Sequence, residues 1–264
     1  MKRFVMSEMS SREIQAALGE TDTAIIPVAS TEVLGTWGPL GCDSFVAEAI
    51  SRRLGGATGC VVAPVIPVGD ALELRFWPGT ITIEADTLKA LYLDICSSLV
   101  RDGVRRLVFL NTHMMNMRAV DACGRALRAR GVPVAQAMWW QAAFAASQGI
   151  AGPAAHATGH GGEVIASVIM ALRPDLVDPA RIAGAEWKAP KEALQFHGRH
   201  TATTGGPFFT YPDFADFCDL GGGGDPTGAT AEKGRAIIER ALASIVSFVG
   251  SFRAQPLSFS FRGP

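Results

Sequence analysis

The chain lacks several features that would assign it to particular classes of protein. Its 264 residues carry a formal net charge of −1, so there is no basic surplus to attract nucleic acid or an anionic membrane. No apolar run approaches the roughly 20 residues that a membrane-spanning helix needs. The N-terminus lacks the apolar core and the cleavage site of a secretory signal. These absences predict a cytoplasmic protein that binds neither nucleic acid nor membrane.

The cysteines also lack a functional pattern. All five stand singly, without the CxxC spacing of a thiolate metal site, and an odd number does not suit a disulfide framework. We expect most of them to be small buried apolar side chains. Cys42 adjoins Asp43, but the sequence offers no convincing general base that would make its thiol a nucleophile.

Short apolar runs alternate with amphipathic segments along the chain. Strands are predicted at 24–28, 60–68, 106–110 and 132–138, and helices at 6–18, 45–54, 86–103, 117–130, 163–172 and 230–252. This alternation allows crossover connections and predicts a three-layer α/β/α sandwich with a mostly parallel central sheet. A single domain spanning 1–264 is expected, with the Gly-, Pro- and aromatic-rich segment 178–228 as a lid or a subunit contact.

The stretch from Pro27 to Asp43, PVASTEVLGTWGPLGCD, follows the first predicted strand. Glu32 and Asp43 would lie on one loop at the carboxyl edge of the sheet, which is where α/β folds bind ligands. Two carboxylates on a loop stiffened by Gly and Pro suit a divalent cation. The alternative is that Asp43 caps the following helix and that Glu32 is a solvated loop residue.

His113, in the segment LNTHMMN, follows the third predicted strand and should therefore reach the same edge of the sheet. Most single histidines near a strand are structural core or surface residues. Together with Glu32 and Asp43, however, His113 can supply the third ligand of an open metal site that water completes.

The segment HATGHGGEVIAS places His160 just before a predicted helix N-terminus. The partial positive charge and the free N–H groups at such an end favour an oxyanion. Glu163 is a candidate catalytic or ligating acid, or alternatively a first-turn carboxylate stabilised by the helix dipole.

Two adjacent tryptophans, Trp139 and Trp140, end the fourth predicted strand. Neighbouring side chains in a strand point to opposite faces. One tryptophan can therefore pack in the core, as most strand tryptophans do, while the other points away from it.

Taken in order, these motifs resemble those of the creatininase (creatinine amidohydrolase) family, whose opening motif reads Glu-Gln-His-Gly-Pro-His-Leu-Pro-Leu-Gly-Thr-Asp. The opening stretch matches it at Glu32, Gly35, Pro39, Leu40, Gly41 and Asp43. Later matches are the WPGT turn at 77–80, Asn111 with His113 and Asn116, the Gly-His-Gly-Gly around His160, and DPTGATAEKG at 225–234. The resemblance covers nearly the whole chain and implies the three-layer fold, a homo-oligomer that is commonly a hexamer, and a two-metal site that hydrolyses a C–N bond.

The sequence departs from this family at the second metal. Leu34, Trp37 and Leu74 stand where the family has histidines, and Met115 stands where a glutamate helps to hold the second ion. Because Leu34 and Met115 replace ligands of the second ion, the resemblance implies one divalent ion with the second site lost. Two carboxylates and an imidazole suit Zn, Mn or Fe. The ligands of the remaining ion would be Glu32, Asp43 and His113.

The hypothesis from the sequence is a divergent metal-dependent amidohydrolase. It would use metal-activated water to cleave a C–N bond of a small, cyclic amide or a related molecule other than creatinine. His160 would shuttle the proton, and Trp140, Trp37 and Met115 would line the substrate pocket. Two alternatives stay open: a catalytically silent binding or assembly subunit, and a metal-independent lyase or isomerase that uses His160 and Glu163.

Overall fold

The computed structural model describes residues 4–153, 157–184, 194–197, 200–203, 209–210, 213–216 and 218–257. Its main feature is a four-stranded parallel sheet with the strand order β2–β1–β3–β4. The strands are β1 (Thr23–Val28), β2 (Val61–Val62), β3 (Arg106–Asn111) and β4 (Val134–Met138). Helices cover both faces of this sheet, which confirms the predicted three-layer α/β/α fold.

The helices follow the predicted order with small shifts at their ends. They are α1 (Ser11–Leu18), α2 (Cys42–Thr58), α3 (Ala85–Arg101), α4 (Met117–Ala129), α5 (Trp139–Ala146), α6 (Glu163–Leu172) and α7 (Ala231–Arg253). The first helix begins later than predicted because Ser10 and Glu13 form a capping box at its N-terminus. Within the described ranges, no helix combines the length and apolarity that crossing a bilayer requires.

The two central strands are buried on both faces, which explains their uninterrupted apolar sequences. Ile25 and Val108 face a core shared with α2, α5, α6 and α7. Ile26 and Phe109 point the other way, into a core shared with α1, α3 and α4. Alternation along β1 and β3 therefore assigns each helix to one of the two outer layers.

Two elements differ from the prediction. The second strand was predicted over 60–68 but comprises only Val61–Val62, because Pro64 and Pro67 cannot donate to a ladder. The tryptophan pair was predicted to end β4, yet Trp139 and Trp140 begin α5, whose Ala-rich sequence WWQAAFAA favours a helix. Their relative orientation is therefore set by a helix and not by strand alternation.

The segment 178–228 contains a small antiparallel sheet that its weak periodicity did not predict. Its strands are β5 (Leu194–His197), β6 (His200–Thr203) and β7 (Phe209–Thr210), in the order β5–β6–β7. Much of this segment lies outside the described residues, so the role of lid or subunit contact stays a prediction.

Helices α6 and α7 cross at Gly234, and we predict that Gly234→Ala destabilises the fold. A Cβ at this position would collide with the carbonyl group of Ser167 in α6, and backbone atoms cannot move aside cheaply. We expect a loss of about 2–4 kcal/mol in the free energy of unfolding, measured by urea titration. Gly250→Ala is the matched control in α7, because its Cβ would meet open space. We expect this variant to raise the free energy of unfolding by about 0.5–1 kcal/mol. Equal stability of the two variants would contradict the close helix crossing.

Candidate metal centre

The carboxyl ends of three parallel strands meet at one edge of the sheet. Val28 pairs with Asn111 across β1 and β3, and Asn111 pairs with Met138 across β3 and β4. The chain that leaves these strands carries the predicted site residues, so the strand register brings them to one place. There, one ligand atom each from Glu32, Asp43 and His113 lie within 4.8 Å of one another, and all three residues are buried.

Asp43 lies in the first turn of α2, not on the preceding loop as the sequence suggested. It does not cap the helix either, because Gly41 occupies the N-cap position. One carboxylate oxygen, Oδ1, accepts a hydrogen bond of 2.8 Å from the indole N–H of Trp140. The other, Oδ2, faces His113 at 3.3 Å. The positive end of the helix dipole also favours a carboxylate here.

The imidazole of His113 is oriented by a backbone carbonyl. Its Nε2 lies 2.7 Å from the carbonyl oxygen of Asp70, so Nε2 carries the hydrogen and donates. The opposite nitrogen, Nδ1, lies 2.9 Å from Glu32 Oε2 and 3.3 Å from Asp43 Oδ2. Histidines that ligate metals characteristically donate the second ring N–H to a carbonyl or carboxylate in this way.

The three buried groups shift one another's pKa values. Burial disfavours a charge on His113, but Glu32 and Asp43 outweigh this and raise its pKa well above the usual value. Burial would raise the pKa of Glu32, yet the charge of His113 lowers it. Burial and the charge of Glu32 raise the pKa of Asp43. In the absence of a cation, a proton on His113 Nδ1 therefore supplies the positive charge that two buried carboxylates require.

The residues present fit a divalent cation. Glu32 Oε2 is buried and makes no hydrogen bond of good geometry within the described part of the chain, while His113 Nδ1 lies 2.9 Å away. The hydroxyl of Ser30, two residues earlier, is likewise buried without a hydrogen-bond partner among the described residues. With Nε2 carrying the ring hydrogen, the lone pair of His113 Nδ1 and the two carboxylates face one another, and a cation between them would satisfy all three groups. Two carboxylates and an imidazole suit Zn, Mn or Fe.

A network of hydrogen bonds fixes the loops that carry the three residues. Asn116 donates from Nδ2 to the carbonyl of Ala29 at 2.9 Å and accepts from the backbone N–H of Asp70 at 3.0 Å. The hydroxyl of Thr112 lies 3.0 Å from the carbonyl oxygen of Asp43. Nothing in the sequence marks Asp70 or Ser30 as site residues, and Asn116 is marked only through the family motif.

His160 lies in the Gly-rich turn before α6 and approaches Glu32. Its Nε2 donates to the carbonyl oxygen of Val33 at 2.9 Å, and its Nδ1 lies 3.9 Å from Glu32 Oε1. In the neutral tautomer, Nδ1 is therefore the free base on the side of the metal centre. The side chain is 20% exposed, so part of the imidazole is open to solvent.

Glu163 is engaged elsewhere. Its Oε1 lies 2.6 Å from the ammonium group of Lys233, and its Oε2 accepts from the backbone N–H of Gly152 at 3.0 Å. The ion pair joins the N-terminal turns of α6 and α7. Both carboxylate oxygens are occupied by these contacts, and the catalytic role of Glu163 stays a prediction.

The predicted substrate-binding residues divide into two groups. Trp140 and Trp37 are buried, and their indole N–H groups bind the framework: Trp140 donates to Asp43, and Trp37 donates to the carbonyl of Gly161 at 3.0 Å. Met115 is partly exposed on the 3-10 turn that precedes α4. Two other replacements of family histidines, Leu34 and Leu74, are buried apolar residues.

Comparison with known proteins agrees with this architecture. A family model described as creatinine amidohydrolase matches residues 7–249. A mycofactocin precursor peptide peptidase from Mycobacterium ulcerans (strain Agy99) is 30% identical over 96% of this chain and 94% of its own. A crystal structure of creatinine amidohydrolase superposes with a TM-score of 0.77 and 25% identity, covering 97% of this chain and 100% of that one. A second structure, named Creatininase Mn, superposes with a TM-score of 0.75 and 25% identity, covering 96% of this chain and 100% of that one. The chain therefore belongs to the creatininase family of hydrolases.

Proposed function

We propose that this protein is a metal-dependent amidohydrolase that cleaves the C–N bond of a peptide amide. Glu32, Asp43 and His113 hold one divalent ion, and His160 transfers the proton. The observation that carries the proposal is the buried carboxylate pair with His113 Nδ1 between its oxygens. A homo-oligomer, a cytoplasmic location and the loss of the second metal site belong to the same proposal.

The side chains of this site have separable tasks. A bound divalent ion lowers the pKa of water and polarises a carbonyl oxygen. Asp70 and Trp140 hold His113 and Asp43 in their orientations through hydrogen bonds to a ring N–H and a carboxylate oxygen. His160 accepts the proton of the attacking water at Nδ1 and returns it to the leaving nitrogen as the C–N bond breaks.

The peptide is favoured as the substrate by the relative that shares 30% identity over nearly the whole chain, because that protein is named as a peptide peptidase. A small cyclic amide remains the second candidate, since creatininase shares the fold with a TM-score of 0.77. Leu34 and Met115 are apolar and replace polar metal ligands of the family. Creatinine is therefore disfavoured as the cyclic amide.

Metal content tests the ligand assignment directly. We expect about one divalent ion per chain, by elemental analysis of protein purified without chelator, and loss of that ion in the double variant Glu32→Ala, Asp43→Ala. The matched control removes two exposed carboxylates, Asp121→Ala with Glu239→Ala, and should keep the ion. No ion in the wild type would support the silent-subunit or metal-independent alternatives, and two ions per chain would contradict the loss of the second site.

Trp140→Phe should weaken metal binding while the fold is retained. The substitution removes the N–H that orients Asp43, and loss of such outer hydrogen bonds typically lowers metal affinity about 10–100-fold. Affinity can be measured by competition with a chromophoric chelator. Trp139→Phe is the matched control, because Trp139 adjoins it in α5 and its buried indole N–H has no partner among the described residues. Equal affinities in the two variants would show that the Trp140 hydrogen bond is unimportant.

Hydrolysis should depend on both the metal and His160. We expect the metal-loaded protein to cleave blocked peptides, followed by mass spectrometry, and to lose this activity on treatment with EDTA. His160→Ala should lower kcat about 10²–10⁴-fold with unchanged metal content, because a proton-transfer group contributes on that scale.

His113→Ala, in contrast, should remove both the metal and the activity. Cleavage of a lactam but of no peptide would favour the cyclic amide, and activity that survives EDTA would exclude the metal-dependent proposal.

A further inference from the structure

A row of aromatic side chains leads away from His160. The ring of Phe214 contacts the His160 ring edge-on, with the centroids 5.1 Å apart and the planes at 66°. Phe214 also contacts Trp77, with centroids 6.3 Å apart and planes at 71°. Both residues are partly exposed. The row therefore connects the proposed proton-transfer residue with the turn that carries Trp77.

The segment that carries Phe214 is fastened to that turn at two points. The guanidinium of Arg75 pairs with both carboxylate oxygens of Asp213, with 2.7 Å between Nη2 and Oδ2. The indole N–H of Trp77 donates to the carbonyl oxygen of Asp219 at 3.1 Å. A bidentate Arg–carboxylate pair fixes geometry as well as distance. The positions of the rings are thus set before a ligand binds, which lowers the entropic cost of binding.

Exposed apolar side chains lie close in sequence to the residues of this row. The described part of the chain exposes eight large hydrophobic residues, of which four lie on the Trp77 turn or next to Asp219. These four are Leu72, Phe76, Ile81 and Leu220. Phe76 is 55% exposed even though the guanidinium of Arg75 lies 4.2 Å from its ring centroid. Exposed apolar surface concentrated beside a site marks a place where a ligand binds.

The occupant of this surface can be inferred from its continuity with His160. Ring contacts connect Trp77 and Phe214 to the imidazole that would transfer a proton, so an occupant of these rings includes the reacting group or is joined to it. A cyclic amide beside His160 would leave the outer residues uncovered. An extended peptide advances about 3.3–3.6 Å per residue and can cover both places.

We propose that Phe214 and Trp77, together with the exposed residues Leu72, Phe76, Ile81 and Leu220, form a subsite for an aromatic or large aliphatic side chain next to the scissile amide. This subsite rests on the proposed peptidase function and names the substrate class within it. Aromatic rings bind such side chains through edge-on and offset contacts in addition to apolar burial.

Two blocked tetrapeptides test the subsite with the full-length protein as purified. Acetyl-Gly-Phe-Gly-Gly-amide should bind at least about tenfold more tightly than acetyl-Gly-Asp-Gly-Gly-amide, measured by calorimetric or NMR titration. Where mass spectrometry shows cleavage, the ratio of kcat/KM values replaces the ratio of dissociation constants. Phe214→Ala and Phe76→Ser should each remove most of this preference. Phe76 is largely exposed, so its variant tests the subsite without threatening the fold.

Phe248→Ser is the matched control, because Phe248 is 42% exposed on α7 and should not affect the preference. Equal binding of the two peptides, or binding of neither, would overturn the subsite. An unchanged preference in Phe76→Ser, with an altered oligomeric mass, would overturn it in favour of a contact between copies of the chain. If the protein prefers the Phe peptide but holds no metal and hydrolyses neither peptide, the peptidase function alone is refuted. If it hydrolyses both peptides without preferring the Phe peptide, the subsite alone is refuted.

Discussion

The arrangement of residues at the sheet edge must compensate the repulsion between two buried carboxylates. Glu32 and Asp43 lie close enough to share a ligand, and both are shielded from water. Like charges in such a place disfavour one another's ionised form unless a positive charge lies between them. His113 supplies that charge through Nδ1 because the Asp70 carbonyl already holds Nε2. A divalent cation would compensate the two negative charges fully, because it carries twice the charge of a protonated imidazole. The same arrangement that must be neutralised for the chain to fold is therefore suited to bind a catalytic metal ion.

The fold meets this constraint through strand register. Parallel pairing sets the ends of β1, β3 and β4 beside one another, so residues that are 97 positions apart, such as Asp43 and Trp140, come within hydrogen-bond distance. Asn116 then links the loop after β1 to the segment that contains Asp70. The site is therefore held by side chains on several elements and does not rely on the rigidity of any single loop.

Periodicity and strand ends were enough to predict the layered fold and to bring Glu32, Asp43 and His113 to one edge, because both depend on local sequence. The contacts of Glu163 and Trp140 were beyond such reasoning. Glu163 has an ordinary first-turn position, and its partner Lys233 is 70 residues away. Trp140 was assigned to a strand because the apolar run continues into α5, and only the helix shows that its indole faces Asp43.

The loss of family histidines also has a structural side. Trp37 stands where the family motif has a histidine, and its indole N–H donates to the carbonyl of Gly161, beside His160. Leu34 packs in the core and lies against the same turn. These replacements therefore anchor the turn that carries the proposed proton-transfer residue. Restoring a histidine at Trp37 would remove a buried brace of that turn, because an imidazole cannot reproduce the reach of the indole N–H. The residues that replace the family histidines and the position of His160 are thus coupled through this turn.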